Sequence, residues 1–254
     1  MPTNRNLATI VGIAAAILLI YGANPWSAPP DGIVRDVVTY GFWILFVVLL
    51  YLLFRERKQP GGEDVEIEGP AITRFLFGNS RAGLFWLPIR LFLGFAWLDA
   101  GWHKVSGEGW LDGGSALRTY WERAAAIPEE GQGRPPISYE WYRDFINTLL
   151  AGNHETWFAP LIAFGELAVG VALLIGMLTG LAAFFGAIMN MSFLLAGSGS
   201  SNPVLFTFAI GVMLAWKVAG YYGVDRYLLP LLGTPWRPGT IAGRDTRPAG
   251  PGVT

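Results

Sequence analysis

The sequence has no cysteine and few charged side chains. Of its 254 residues, 15% are charged and only two are histidines, whereas an ordinary soluble domain carries about 25% charged residues. The missing thiols exclude disulfides, thiolate zinc sites, iron–sulfur ligation by this chain and a cysteine nucleophile. The net charge of −1 provides no overall field that would attract nucleic acid, so no nucleic-acid partner is expected.

What the sequence has instead is long apolar stretches, and 52% of its residues are hydrophobic. A helix that spans a bilayer needs about 20 mostly apolar residues. Six stretches come close to this length, at residues 7–23, 37–54, 84–103, 158–177, 179–196 and 203–219. They predict an all-α integral membrane protein, an antiparallel four-helix transmembrane bundle preceded by two additional transmembrane helices. The first stretch also resembles a secretory signal peptide, but its length favours a retained helix.

Composition predicts how the chain is divided. The spans and the polar segments between them indicate an N-terminal helix pair, a Gly-rich and acidic cytoplasmic linker, a membrane bundle and a disordered Pro/Gly-rich tail. These predicted segments are residues 1–58, 59–83, 84–232 and 233–254.

The bundle includes a long segment, residues 105–157, between its first and second spans. Apolar residues recur there at helical spacing within 113–127 and again within 138–150. We therefore expect two short amphipathic helices on the outer face of the bundle. In the second of them, Trp141, Phe145 and Leu149 are predicted to form the apolar face, with Ile146 and Leu150 beside them.

The distribution of lysine and arginine predicts the orientation. Arg55, Arg57 and Lys58 follow the second stretch and five more basic residues lie at or beyond Lys217, while the loop between the first two stretches contains only Arg35. Basic residues concentrate on the cytoplasmic side of membrane proteins. The sequence thus predicts a multi-pass protein of the cell (cytoplasmic) membrane with both termini in the cytoplasm.

Ionisable and amide side chains within the predicted spans are the candidates for chemistry. An ionisable group near the middle of a membrane helix costs about 2.5–3.5 kcal/mol, so it is retained where it is paired or functional. The third stretch contains Arg90, Asp99 and His103, the fourth Glu166 and the fifth Asn190. At about 1.5 Å per residue, most of these fall in the outer half of the bundle. We expect them to converge inside it, with Arg90 reaching Glu166 as an ion pair.

Each of these residues fits either a functional role or an ordinary structural one. Asp99 and His103 are four residues apart and share a helix face, so they fit a proton relay or an interfacial pair that binds a lipid headgroup. Lys104 either extends to the interface or binds an anion together with nearby arginines such as Arg118. Trp102 belongs to an aromatic group, with Trp97, Trp110 and Tyr120, that could line a quinone-sized pocket or form part of an interfacial belt. With one histidine near carboxylates, no metal site is predicted.

Several short segments also carry a resemblance to a known family. They are Arg90–Gly94, Ala100–Lys104, Gly109–Gly113, Gly165–Glu166, Asn190–Met191, Trp216–Lys217 and Asp225–Tyr227. From about residue 87 to 235 the chain resembles the DoxX/DoxD family of four-helix membrane proteins. Some members are the small membrane subunit of a thiosulfate:quinone oxidoreductase, so the resemblance implies a quinone-linked redox role. Arg90, Lys104 and Glu166 match the polar pattern of the family.

The resulting functional expectation is a subunit of a quinone-linked, thiosulfate-type oxidoreductase, with a quinone as the suspected cofactor and a partner protein subunit. Asp99, His103 and Glu166 are the expected catalytic residues because they can carry protons. The residues expected to hold the substrate are Arg90, Lys104, Asn190 and Trp102. Whether the chain is itself an enzyme stays open. The alternative is a non-catalytic accessory subunit of a larger respiratory or photosynthetic complex, and a small-molecule carrier ranks third.

Overall fold

The regular structure of this protein is helical throughout the described ranges. The computed structural model describes residues 4–22, 32–56, 69–129 and 133–233, and no strand occurs within them. The chain divides into two compact units, residues 1–68 and 69–254. The helices are α1 (Asn4–Gly22), α2 (Gly32–Glu56), α3 (Ala71–Gly78), α4 (Gly83–Ser106), α5 (Ser115–Ala125), α6 (Glu140–Ala151), α7 (Glu155–Ile175), α8 (Thr179–Leu195), α9 (Asn202–Leu214), α10 (Trp216–Ala219) and α11 (Asp225–Leu231).

Three helical segments in the described part of the chain are long and apolar enough to cross a membrane. They are Gly32–Leu52, Ser80–Ser106 and Glu155–Ile175. Three shorter apolar helices, Leu7–Leu18, Thr179–Leu195 and Asn202–Leu214, occupy the other predicted stretches. The α8 helix, with 17 residues, is about 25 Å long, slightly less than the hydrocarbon thickness of about 30 Å. The all-helical, membrane-type fold is confirmed, and the exact arrangement of six spans stays a prediction.

The N-terminal unit is a pair of apolar helices. Gly12 of α1 faces Leu49 of α2, and Leu18 faces Gly41, so the two contacts run in opposite order along the helices. The α1 and α2 helices are therefore antiparallel. Leu52 is buried at their contact, while most of the large apolar side chains of α2 are exposed.

Four helices of the second unit form a closed ring of contacts. The α4 helix packs on α7 and α9, and α8 packs on the same two helices. The buried core between them combines large apolar side chains from α4 and α7 with small ones from α8. Its members include Leu93, Trp97, Val169, Leu173, Ala183, Ala209 and Val212.

The α4 and α7 helices approach each other most closely at glycines. A Cβ atom on Gly94 would lie 2.9 Å from the backbone nitrogen of Leu174, and one on Gly101 would lie 2.6 Å from that of Leu167. On α7, a Cβ atom on Gly170 would meet the backbone of Leu98. Small residues at these points let the two backbones touch, as is common between membrane helices. This contact fixes the register of α4 against α7.

The α5 and α6 helices, here called the cap, lie within the two segments for which the sequence predicts amphipathic helices. The helical spacing in the first segment comes from Leu117, Tyr120, Trp121 and Ala124. In α5, Leu117, Trp121 and Ala124 are buried and Tyr120 is half-buried. The α5 helix contacts both α6 and α7, so the cap packs against the four-helix bundle of its own unit.

The predicted apolar face of α6 is partly wrong. Trp141 and Phe145 are exposed, whereas Ile146 and Leu149 are buried as expected. Tyr142, which was not predicted to lie on this face, is buried as well. The Tyr142 hydroxyl donates a hydrogen bond of 2.9 Å to the Ser192 carbonyl oxygen of α8. A buried tyrosine usually has such a partner, and this bond connects α6 to α8.

The segment before α4 is more ordered than a linker. The second half of the predicted linker contains α3 and a 3₁₀ turn, Ser80–Ala82. The Trp86 indole nitrogen donates to the Leu76 carbonyl oxygen at 2.8 Å, which connects α4 to α3. The first part of the predicted linker, residues 59–68, and the predicted tail from residue 234 lie outside the described residues.

Candidate functional site

A buried ion pair joins α4 to α7. The Lys104 ammonium nitrogen lies 2.7 Å from Glu166 Oε2, and the Glu166 side chain is 1% exposed. Glu166 lies about 16 Å from the first residue of α7, and Lys104 is in the last turn of α4. The close approach at Gly101 brings the two helices together at this level.

This pairing corrects the expected partner of Glu166. The sequence predicts Arg90, but Arg90 lies about 21 Å before Lys104 along α4. The antiparallel register set by Gly94 and Gly101 places Arg90 beside the end of α7, where its guanidinium lies next to Gly176. Lys104, predicted either to extend to the interface or to bind an anion, therefore provides the positive charge.

Aromatic rings surround the lysine. The Lys104 ammonium is 5.1 Å from the centre of the Trp110 ring and 6.0 Å from that of Phe193, so both rings contribute cation–π attraction. The Tyr120 ring packs edge-on against Phe193, and burial raises the pKa of Tyr120 to about 12. In the described part of the chain, Glu166 Oε1 is buried and has no hydrogen-bond partner. The site thus has an unsatisfied carboxylate oxygen within a largely apolar enclosure.

An apolar groove lies beside this pair, between α7 and α8. Its volume is about 440 Å³, and Ser192 is its main polar residue. The Ser192 hydroxyl donates to the Ile188 carbonyl oxygen of its own helix. The groove is lined by Phe158, Leu161, Ile162, Gly165, Ala168, Val169, Phe185, Ile188, Met189, Ser192 and Phe193. None of the four aromatic residues predicted to enclose a quinone-sized pocket lines this groove. Trp97 is buried in the core and Trp102 is exposed. Trp110 lies against Lys104, and Tyr120 packs against Phe193.

Asp99 and His103 share a helix face, but that face points away from the ion pair. Their side chains are 56% and 74% exposed, and His103 Nδ1 lies 3.5 Å from Asp99 Oδ1. His103 Nδ1 also donates to the Asp99 carbonyl oxygen at 2.8 Å. Asp99 is two residues, about 200° of helix rotation, from Gly101, which faces α7. The expected convergence of Asp99 with Glu166 therefore does not occur, and Trp102 is exposed with Asp99.

Arg90 takes part in a second polar cluster at the opposite end of α4. It is 1% exposed, and its Nη2 atom donates to the Tyr222 carbonyl oxygen at 3.1 Å. Its guanidinium occupies the space that a side chain would need at Gly176, whose φ angle is +67°. Asp225 attracts the Arg90 charge electrostatically.

Asp225 is a buried polar residue of this cluster that sequence reasoning missed. It is fully buried and accepts hydrogen bonds from the backbone nitrogens of Leu178 (2.6 Å) and Thr179 (2.8 Å). It caps the N-terminus of α8, where a negative charge is stabilised by the helix dipole. The Asp-Arg-Tyr sequence was noted as part of the family resemblance, but nothing local indicates that the carboxylate is buried.

Asn190 connects α8 to the start of α9. It is fully buried, and its amide nitrogen donates to Asn202 Oδ1 at 2.9 Å. Asn202 in turn donates to the Ser198 carbonyl oxygen. The observed contact assigns Asn190 to the α8–α9 connection, and its predicted role in substrate binding stays a prediction.

Arg118, which the sequence offered as an anion-binding partner for Lys104, is occupied by carboxylates. It donates to Glu155 Oε1 at 2.8 Å and to Glu122 Oε1 at 2.9 Å. These hydrogen bonds, above all the one to Glu155, raise the pKa of Arg118. An anionic substrate at this end would have to displace carboxylates from both Lys104 and Arg118.

Within the described ranges, no group of three or more His, Asp or Glu residues is placed to hold a metal ion.

The ion pair lies within the part of the chain that matches a known protein family. A DoxX family model matches residues 85–197. This segment is a DoxX domain. It extends from α4 to the end of α8 and contains Lys104, Glu166 and Asn190, so the predicted family is confirmed for this segment, while residues 198–235 of the predicted resemblance lie outside the match. No curated protein and no solved structure gives a significant match. The DoxX domain and the apolar helices together make this chain a polytopic membrane protein.

Proposed function

We propose that this protein is a membrane subunit of a quinone-linked, thiosulfate-type oxidoreductase. In this proposal α4, α7, α8 and α9 form an antiparallel transmembrane bundle and α1 and α2 add two further spans. Both termini lie in the cytoplasm of a protein embedded in the cytoplasmic membrane. The observation that carries the proposal is the buried Lys104–Glu166 pair next to an apolar groove of ligand size.

The residues of the pair suit the proton chemistry of a quinone. Reduction to the quinol takes two electrons, which thiosulfate supplies through a partner subunit, and two protons. In this proposal the unpaired oxygen of Glu166 first takes up a proton from water and then gives it to a quinone oxygen, and a second protonation of Glu166 supplies the other proton. Lys104 can hold the negative charge that develops there, since such interactions are strong in a water-poor site. His103 and Asp99 are exposed and point away from the pair, so in this proposal they exchange protons with water at the end of α4 and not directly with Glu166.

The test is thiosulfate-dependent reduction of a short-chain quinone by membranes that contain the protein and its native partner. We expect Glu166→Gln to lower the rate by about 100-fold or more, since a positioned acid or base contributes about 10²–10⁴-fold. Glu108→Gln is the matched control, because Glu108 is exposed near the end of α4. Wild-type rates in the Glu166→Gln membranes, or wild-type membranes no faster than blank ones, would refute the proposal.

One observation favours the accessory-subunit alternative. Phe95, Asp99, Trp102 and His103 form an exposed stripe along α4, and Asp99 lies about 10 Å before the end of the helix. An ionisable side chain exposed to lipid is costly, about 2.5–3.5 kcal/mol near the centre of the bilayer. A partner protein that covers this stripe would remove the cost.

Because the chain has no cysteine, single cysteines can test this contact. We expect Phe95→Cys to crosslink to one partner protein in native membranes, and the complex to survive purification in mild detergent. Phe164→Cys on α7 is the matched control, because Phe164 is similarly exposed. Absence of a crosslink from Phe95→Cys, or equal crosslinking from both positions, would count against a partner on this stripe.

A further inference from the structure

The groove between α7 and α8 opens to the outside of the bundle. Leu161, Phe185 and Ile188 line it and are 57%, 51% and 46% exposed. In a membrane protein this side faces lipid, so the groove is accessible to molecules dissolved in the bilayer. Its volume of about 440 Å³ falls within the usual range of about 300–1,000 Å³ for small-molecule sites.

The groove exists because α7 has small side chains there. Gly165 and Ala168 both line it. A Cβ atom on Gly165 would have no neighbour closer than Met189 Sδ at 3.9 Å, so the space above this residue is open. The lining runs from Phe158 to Val169 along α7, a length of about 16 Å. An elongated apolar chain fits this shape better than a compact molecule does.

One end of the groove leads towards the ion pair. Phe158, Ile162, Ser192 and Phe193 line both the groove and a smaller cavity of about 60 Å³ beneath the cap. The ring of Phe193 also faces the Lys104 ammonium. Phe193 therefore separates the groove from the polar site. For a head group at this end of the groove, the Phe193 ring is what separates it from the Lys104 ammonium.

We propose that the α7–α8 groove is the binding and access site for the apolar chain of a membrane-dissolved amphiphile. The chain lies along Gly165 and Ala168, and the head group reaches the Lys104–Glu166 pair by displacing the Phe193 ring. The inference rests on the proposed function in one respect, since the amphiphile is the quinone substrate. It makes that substrate a quinone with a long chain and makes Phe193 the residue that controls access.

Binding of two probes tests the chain site without turnover. We expect a decyl-tailed benzoquinone to quench the tryptophan fluorescence of the purified protein at concentrations about tenfold lower than tail-less benzoquinone. Ala168→Phe fills the groove and should abolish this preference. Val171→Phe, on the same helix and exposed but outside the groove, should keep it. Ile188→Trp, which fills the groove from α8, repeats the test should Ala168→Phe fail to fold.

A photoreactive alkyl diazirine separates this proposal from the proposed function. We expect it to label residues of the groove in the wild type and in Val171→Phe, but not in Ala168→Phe. Groove labelling without thiosulfate-dependent quinone reduction would overturn the oxidoreductase assignment and leave the chain site standing. An unchanged chain preference or unchanged labelling in Ala168→Phe would overturn the chain site, even with full quinone reduction.

Discussion

Lys104→Met should lower the free energy of unfolding by about 3–5 kcal/mol, the usual loss when one partner of a buried ion pair is removed. The reason is that Glu166 is 1% exposed and would keep a charge, or take up a proton, in an apolar site. The double variant Lys104→Met with Glu166→Leu should recover most of this loss, because apolar residues of similar volume often replace a buried pair without cost. Thermal unfolding in detergent, followed by the fluorescence of the 11 tryptophans, measures both effects.

Lys217→Met is the matched control for this pair. Lys217 is exposed, and its described contact is with the ring of Trp216, so its replacement should change the midpoint of unfolding little. Losses in the double variant equal to the sum of the two single losses would show that Lys104 and Glu166 do not interact.

The α4–α7 contact predicts opposite effects for one substitution at two glycines. Gly101→Ala should lower the free energy of unfolding by about 3 kcal/mol, the upper end of the range for overpacking. Its Cβ atom would lie 2.6 Å from the backbone of Leu167, and a backbone cannot move aside as a flexible side chain can. Gly165→Ala adds a methyl group beside Met189 Sδ at 3.9 Å and should raise stability by up to about 1 kcal/mol through helix propensity.

The unfolding midpoints of the two alanine variants, measured in the same detergent, test these opposite stability changes. An unchanged or higher midpoint in Gly101→Ala would show that the backbone contact at Gly101 does not hold α4 against α7, and a lower midpoint in Gly165→Ala would show that the space beside Gly165 is not open. Quinone reduction offers a second measurement for Gly101→Ala, since separation of α4 from α7 also separates Lys104 from Glu166 and should lower the rate.

The helices of this fold were predictable because apolar length and helical period are local properties. The register between helices was not. Glu166 was recognised as a buried acid, but its partner depends on how Gly94 and Gly101 meet α7, and the sequence prediction therefore chose Arg90. The seven-residue spacing of these two glycines, matched by Ala163 and Gly170 on α7, was an available indication of the close contact.

The free-energy cost of exposing a charged side chain to lipid also did not predict which way each side chain points. The cost of exposing Asp99 to lipid suggested that it points inward, yet the rotation of α4 is set by its glycines and turns Asp99 outward. Asp225 was not selected because the groups that it caps, Leu178 and Thr179, precede it by 47 and 46 residues. Such long-range partners depend on the assembled fold.

The contact of Arg90 with Tyr222 has a consequence for biosynthesis. The acceptor carbonyl lies 132 residues after the arginine, so α4 enters the bilayer long before its guanidinium can be satisfied. Until the ribosome has delivered Tyr222 and Asp225, the nascent chain contains a cation without its native acceptor. The insertion machinery or lipid phosphates must solvate that cation in the meantime. Chains truncated ahead of Tyr222 should therefore be retained by quality control even though every helix of the DoxX domain is complete.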